Sequence, residues 1–230
     1  MSDKTRKTVI IGMSAIIVVL ALIAVVPVIY AAMSGPGNHV EQLNTDRAKS
    51  ATTDVNGNWK IDNGAPPNVT AAGFTFDEVL PGQRKRTSGS TQQVTGNVDI
   101  SDGKVRAGEV HVDMRHIVTD KDVRDENVRN KILLTDRYPE ARFSITKPVD
   151  VSQLPSDGKP GKVTLTGNLT IKDATKEVTQ EFQALRDGDR LVVSGVIPIK
   201  RSDYDVESPD FIAAKIAEEG EIDILINMSK

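Results

Sequence analysis

Residues 163–171 read VTLTGNLTI. Val163, Leu165, Leu169 and Ile171 share one parity while Thr164, Thr166, Asn168 and Thr170 share the other, so an extended chain here has one apolar and one wet face. The pattern recurs on both sides. Upstream, Val110, Val112 and Met114 alternate with His111 and Asp113. Downstream, Leu191, Val193, Gly195 and Ile197 repeat it, and EIDILINM (221–228) puts Ile222, Ile224, Ile226 and Met228 on a common face. Ser101-Asp102-Gly103, Ser156-Asp157-Gly158 and Asp187-Gly188-Asp189 are turn signals between such runs.

Two helical interruptions are readable. Residues 122–134 (DVRDENVRNKILL) start acidic, carry Arg129 and Lys131 later, and place Val128 and Ile132 four apart. Ser208-Pro209-Asp210 resembles a cap with proline at the first helical position, leading into a helix over Phe211–Glu218 that stops at Gly220. Strands dominate, which predicts an all-β, antiparallel fold with one or two short helices. That means a sandwich or a closed barrel, and a closed barrel of about eight strands has room for one ligand.

Ahead of this domain, Val9–Met33 (VIIGMSAIIVVLALIAVVPVIYAAM) has no charged side chain, and about 20 apolar residues suffice to cross a bilayer core. Lys4, Arg6 and Lys7 precede it against one Asp3, while Ser34–Asn38 carry no basic residue. A single-pass helix over 9–33 with residues 1–8 in the cytoplasm and an extracytoplasmic C-terminal domain is expected. Pro27 and Tyr30 sit near its outer end, where a kink and an interfacial aromatic are tolerated. The competing reading is a signal peptide cleaved near Ala31-Ala32, and the stretch is longer than the usual cleavable core of about 7–15 residues. Residues 34–57 are polar and lack apolar periodicity, which predicts a linker, with the folded domain over 58–230.

The chain has 230 residues, 29 basic against 32 acidic, for a formal net charge of -3. No global field attracts a polyanion, so nucleic acid is not an expected partner. The absence of cysteine excludes disulfides, thiolate metal sites, thiol catalysis and lipid attachment through cysteine.

Distributed matches point to a family. Trp59-Lys60-Ile61-Asp62 opens the domain. Val110-His111-Val112-Asp113 is followed by Thr119-Asp120 and Arg124-Asp125, and Tyr138-Pro139 leads into Ala141-Arg142-Phe143. Gly167–Val178 (GNLTIKDATKEV) completes the set. Over about Trp59–Met228 the chain resembles the YceI-like family, exported bacterial lipocalin-like barrels associated with polyprenyl chains or related amphiphiles. The resemblance implies strand, turn and strand over Gly167–Val178 and a hydrophobic lipid ligand. The two histidines usual in the family after the opening strand are missing from Asn63–Phe76, which puts its head-group contact in doubt.

Residues for catalysis are few. His39 lies in the linker, and His111 and His116 are five apart, not the spacing of paired ligands on one face, so structural or solvated roles are expected. Asp120, Asp122, Arg124, Asp125 and Glu126 read as a helix start with Arg124 paired locally. Arg84-Lys85-Arg86 is expected at a hairpin loop, PGQRKRTSGS, either solvated or touching anionic head groups. No phosphate loop or nucleophile elbow appears, and no cofactor, metal site or catalytic set is expected.

The candidate lining of the interior is Phe74, Phe76, Val110, Val112, Met114, Phe143, Leu165, Leu169, Phe182, Val193, Phe211 and Ile224. These side chains could equally fill a core, although 4% aromatic content leaves little bulk to plug a barrel. The leading expectation is a membrane-anchored binding protein that holds an isoprenoid or quinone-like molecule. Its rival is an accessory subunit of a larger membrane complex, respiratory or envelope-synthesising. In the rival reading the helix docks through Gly12, Ser14, Ala15, Ala21 and Ala24. A copurification in mild detergent separates the two.

Overall fold

The computed structural model describes residues 3–33, 35–80, 83–207 and 215–230. Helix α1 (Asp3–Met33) precedes β1 (Gly57–Asp62), the short pair β2 (Gly64–Ala65) and β3 (Asn68–Val69), then β4 (Ala71–Leu80), β5 (Gln83–Thr91), β6 (Val94–Ser101) and β7 (Lys104–Asp113). Helix α2 (Asp122–Asn127) follows, and then come β8 (Glu140–Ile145), β9 (Val149–Asp150), β10 (Gly161–Ile171), β11 (Ala174–Asp187), β12 (Arg190–Lys200) and β13 (Lys215–Ser229).

Strands β1, β6, β7, β8, β10, β11, β12 and β13 pair antiparallel in that order, and β13 returns to β1, closing an eight-stranded barrel. The long strand β13 makes the closure possible. Its end, Asn227–Ser229, pairs with β1, while Lys215–Leu225 pairs with β4 across a bulge between Ile216 and Gly220. The β4–β5 hairpin thereby extends the wall. Its outer strand would expose a bare edge, but Ser88 exchanges hydrogen bonds with Pro36 and Asn38 (2.9 and 3.1 Å) and Ser90 with Val118 (3.0 Å each way).

Sequence expectations fail at three places for physical reasons. Residues 83–90, expected as loop, form β5 and pair with β4 from Leu80↔Gln83 to Ala72↔Thr91. Small polar residues in this strand hide it from a hydrophobicity reading, yet Thr87, Ser88, Ser90 and Thr91 are buried. The helix expected over Phe211–Glu218 falls partly outside the described residues, and Lys215–Glu218 belong to β13. A helix that short is marginal alone, and the open edge of β4 offers ladder hydrogen bonds instead. The third is the expected linker, which from Gly35 onward is laid against the barrel. Val40 packs with Leu185, Val192 and Leu225 in a small core outside the wall. Asn44 and Asn68 exchange hydrogen bonds (2.8 Å each), and the Asn227 side chain donates to the Asn68 carbonyl (3.0 Å).

The helix expected over 122–134 is present. α2 continues into a wider turn over Val128–Leu133 and ends at Leu134 in the left-handed region. In α1 the side chains described over residues 10–26 are exposed and, Ser14 apart, apolar, Ile11 at 69% for example. Side chains are described there without a break only over 10–26, and among the described residues no helix is long and apolar enough to cross a membrane.

Beneath the strap formed by residues 36–43, Asp223 is 5% exposed and accepts a hydrogen bond from Thr75 Oγ1 (2.7 Å). Burial pushes its carboxyl above the ordinary 3.8, against the Thr75 hydrogen bond and the nearby His39 and Arg86. A carboxyl whose folded pKa exceeds its unfolded one costs stability when ionised, and the cost disappears as pH falls to the unfolded value. Asp223→Asn keeps the acceptor and removes the charge. Its melting temperature is expected to match or exceed the parent's at pH 7, with the gap closing toward pH 4. A variant several degrees less stable at pH 7 would mean that Arg86 and His39 more than offset the desolvation.

Candidate ligand cavity

Inward-facing residues along every long strand follow from the pleat: Ile222, Ile224, Ile226 and Met228 on β13, Val193 and Ile197 on β12, Leu165, Leu169 and Ile171 on β10. They do not fill the barrel. They enclose a cavity of about 560 Å³, within the usual range for small-molecule sites. Eleven of the twelve candidate residues line it: Phe74, Phe76, Val110, Val112, Met114, Phe143, Leu165, Leu169, Phe182, Val193 and Ile224. Phe211 lies outside the described residues.

The four lining phenylalanines explain why the space stays open. Each lies over a glycine on a neighbouring strand: Phe74 on Gly89, Phe76 on Gly220, Phe143 on Gly167 and Phe182 on Gly195. A Cβ at Gly167 or Gly195 would come within 2.5 Å of the ring, and one at Gly89 within 2.8 Å. Each ring therefore packs against a stretch of wall that has no side chain of its own, covering glycine backbone as it does so. This pairing was invisible in the sequence because the partners lie on different strands.

The two ends of the cavity differ. At one end the wall passes into the packed cluster of Trp59, Val55, Ile100, Val105, Val151 and Leu154, where Trp59 Nε1 donates to the Val55 carbonyl (2.7 Å). The other end is roofed by α2 and its continuation, which contribute Arg124, Asn127, Val128, Ile132 and Leu133. Glu78, Thr87, Arg142 and Arg201 reach the cavity at this same end, since Glu78 and Ile216 are register partners and Arg201 follows the last residue of β12.

The charges at the roofed end are paired. The Arg124 side chain is 8% exposed, donates to Asp120 and stands 3.8 Å from Glu78. Asp120 also accepts the Gly35 N–H, which ties the start of the strap to this corner. Asp125 accepts from the Thr119 hydroxyl and N–H (2.6 Å each). Arg201 donates to the Ala217 and Val206 carbonyls (2.9 and 2.6 Å) and to Glu218 (3.0 Å). The acidic cluster is thus a helix start with locally paired Arg124, as expected, but its arginine also lines the cavity. Lys85 lies on β5 opposite Glu78, not on a loop tip. Burial and the nearby Arg124 lower its pKa, with Asp120 and Glu78 opposing.

His111 lies outside this site, between Glu109 (3.4 Å) and Glu140 (3.0 Å), and His116 stands 3.3 Å from Asp113. His39 lines an outer groove beside the strap. Among the described residues no group of three or more His, Asp or Glu side chains is arranged to hold a metal ion.

An eight-stranded antiparallel barrel around an apolar cavity, with a polar roof at one end, is a lipocalin-like architecture. The chain belongs to the YceI-like domain family, whose pattern matches residues 42–228. A polyisoprenoid binding domain from Saccharophagus degradans implicated in plant cell wall breakdown has a similar structure. It shares 17% identity and superposes with a TM-score of 0.57, over 74% of this chain and 97% of that one. Burkholderia cenocepacia BcnA is similar at 22% identity and a TM-score of 0.52, over 67% of this chain and 95% of BcnA. A comparison with curated proteins finds no match.

Gly195→Ala is expected to lift the Phe182 ring into the lumen. Overpacking of this kind costs about 1–3 kcal/mol, so the barrel should persist with a lower melting temperature and a smaller cavity. A crystal structure of the variant checks this: a Phe182 ring still seated on β12 would show that the glycine bed does not control the lumen.

Proposed function

We propose that this protein binds, and does not chemically transform, a long-chain isoprenoid or similarly apolar amphiphile, and does so at the outer face of a membrane that α1 anchors. The observation that carries the binding reading is the cavity. Its wall is apolar along almost its whole length, and transfer of apolar ligand surface from water contributes about 25 cal/mol per Å² without requiring many polar contacts. Family membership supports this, as does the similar fold of a domain described as polyisoprenoid binding.

The anchor rests on α1. Val9–Met33 is charge-free and the helix around it is apolar on every side, which suits a helix surrounded by lipid or protein and not one in water. The basic residues before it favour a cytoplasmic N-terminus.

Purification of the full chain in mild detergent followed by native mass spectrometry should reveal a retained hydrophobic molecule that denaturation releases. Repeated recovery of ligand-free protein that also fails to take up added isoprenoids would overturn the binding reading. For the anchor, alkaline carbonate should leave the chain in the membrane pellet, with protease reaching the barrel only from outside. Extraction into the supernatant would sink that part alone.

A further inference from the structure

One buried polar atom inside the barrel has no use in the fold. Thr87 is 4% exposed, lines the cavity, and its Oγ1 finds no hydrogen-bond partner among the described residues. Buried hydroxyls are normally paired, and an unpaired one loses its bonds to water without replacement. Thr87 is the register partner of Phe76, so it stands on the inner face of β5, two residues from Lys85 and near the Glu78 level of the wall. As placed, Oγ1 has no surface open to the cavity, so a ligand reaches it only through a χ1 rotation that brings the hydroxyl to the position of the methyl.

The charges around it are already matched. Arg124 stands against Asp120 and Glu78, Lys85 lies in the field of the same two carboxylates, and Arg201 is paired with Glu218. Among the described charged residues that line this end, Arg124 and Arg201 already stand against carboxylates, and a phosphate or diphosphate brought here would face Glu78 directly. Burying such an anion without a counter-charge is strongly unfavourable. A neutral oxygen meets no such penalty and satisfies Thr87.

We propose that the roofed end of the cavity is a neutral-head subsite: it accepts one uncharged hydrogen-bonding oxygen, a hydroxyl or carbonyl, at Thr87, and it discriminates against phosphorylated isoprenoids. This deepens the binding reading above and depends on it. The apolar chain then runs from Thr87 toward the Trp59 end, where the lining carries no charge.

The test uses the delipidated full chain in detergent and three probes of matched length: geranylgeraniol, geranylgeranyl diphosphate and a hydrocarbon of the same chain. Binding is read by calorimetry or native mass spectrometry on the parent, Thr87→Val and Thr87→Ser. The parent is expected to bind the alcohol about three- to tenfold more tightly than the hydrocarbon, and the diphosphate at least about tenfold more weakly than the alcohol. Thr87→Val keeps the shape and should erase the preference for alcohol over hydrocarbon, read as the ratio of the two affinities within the variant. Thr87→Ser keeps the hydroxyl and should keep the preference. If the diphosphate binds as tightly as the alcohol, or Thr87→Val leaves the alcohol-to-hydrocarbon ratio unchanged, the subsite is refuted while binding itself stands. If no probe binds, the binding reading fails along with it.

Discussion

The open lumen of this barrel depends on aromatic rings seated on glycines. A closed eight-stranded wall has just enough interior for its own side chains, and Ile, Leu, Val or Phe line the cavity from β4, β6, β7, β8, β10, β11, β12 and β13. Rings displaced from these seats would move into the lumen and reduce its volume. Gly89, Gly167, Gly195 and Gly220 prevent this by leaving a bare patch of backbone for each ring. Glycine within a strand weakens it, and the covering ring restores part of the lost packing, so the device that hollows the barrel also limits its own cost.

Closure imposes a second demand. β13 has neighbours on both edges and is covered on both faces, by the lumen inside and by the strap over Val40, Leu43 and Ala48 outside. Its parity therefore carries different chemistry on each side. Ile222, Ile224 and Ile226 face the cavity. Asp223, Leu225 and Asn227 face the strap, where Leu225 joins an apolar contact and Asn227 bonds Thr70 and Asn68.

The inner lining was legible in the sequence because period two is a direct consequence of the pleat, and an apolar residue at the right parity of a closed sheet has only one place to go. That logic located Leu165, Leu169, Val193 and Ile224 correctly. It failed where burial and hydrophobicity part company. β5 is buried through Thr87, Ser88, Ser90 and Thr91, and no hydropathy pattern marks a strand whose partners are a polar strap and a hairpin mate. It failed also where local signals compete with a distant edge, as at Lys215–Glu218. The charged roof was half-read: Arg124 pairs locally as expected, but that Glu78 and Thr87 approach the same corner follows only from the β4–β5 register.

The placement of the polar groups gives the cavity a direction. Arg124, Glu78 and Thr87 share the end beneath α2, and that corner is where Gly35 donates to Asp120, directly after α1. The strap then crosses the outer wall to reach β1 near the Trp59 end. With α1 held in a bilayer as proposed, so short a tether keeps the polar end of the cavity beside the membrane surface and points the apolar end away from it. An amphiphile leaving the bilayer tail-first would meet this roof before anything else. On the proposed reading, the buried and locally paired ions there offer an incoming head group no uncompensated charge, which leaves its uptake to neutral groups such as Thr87.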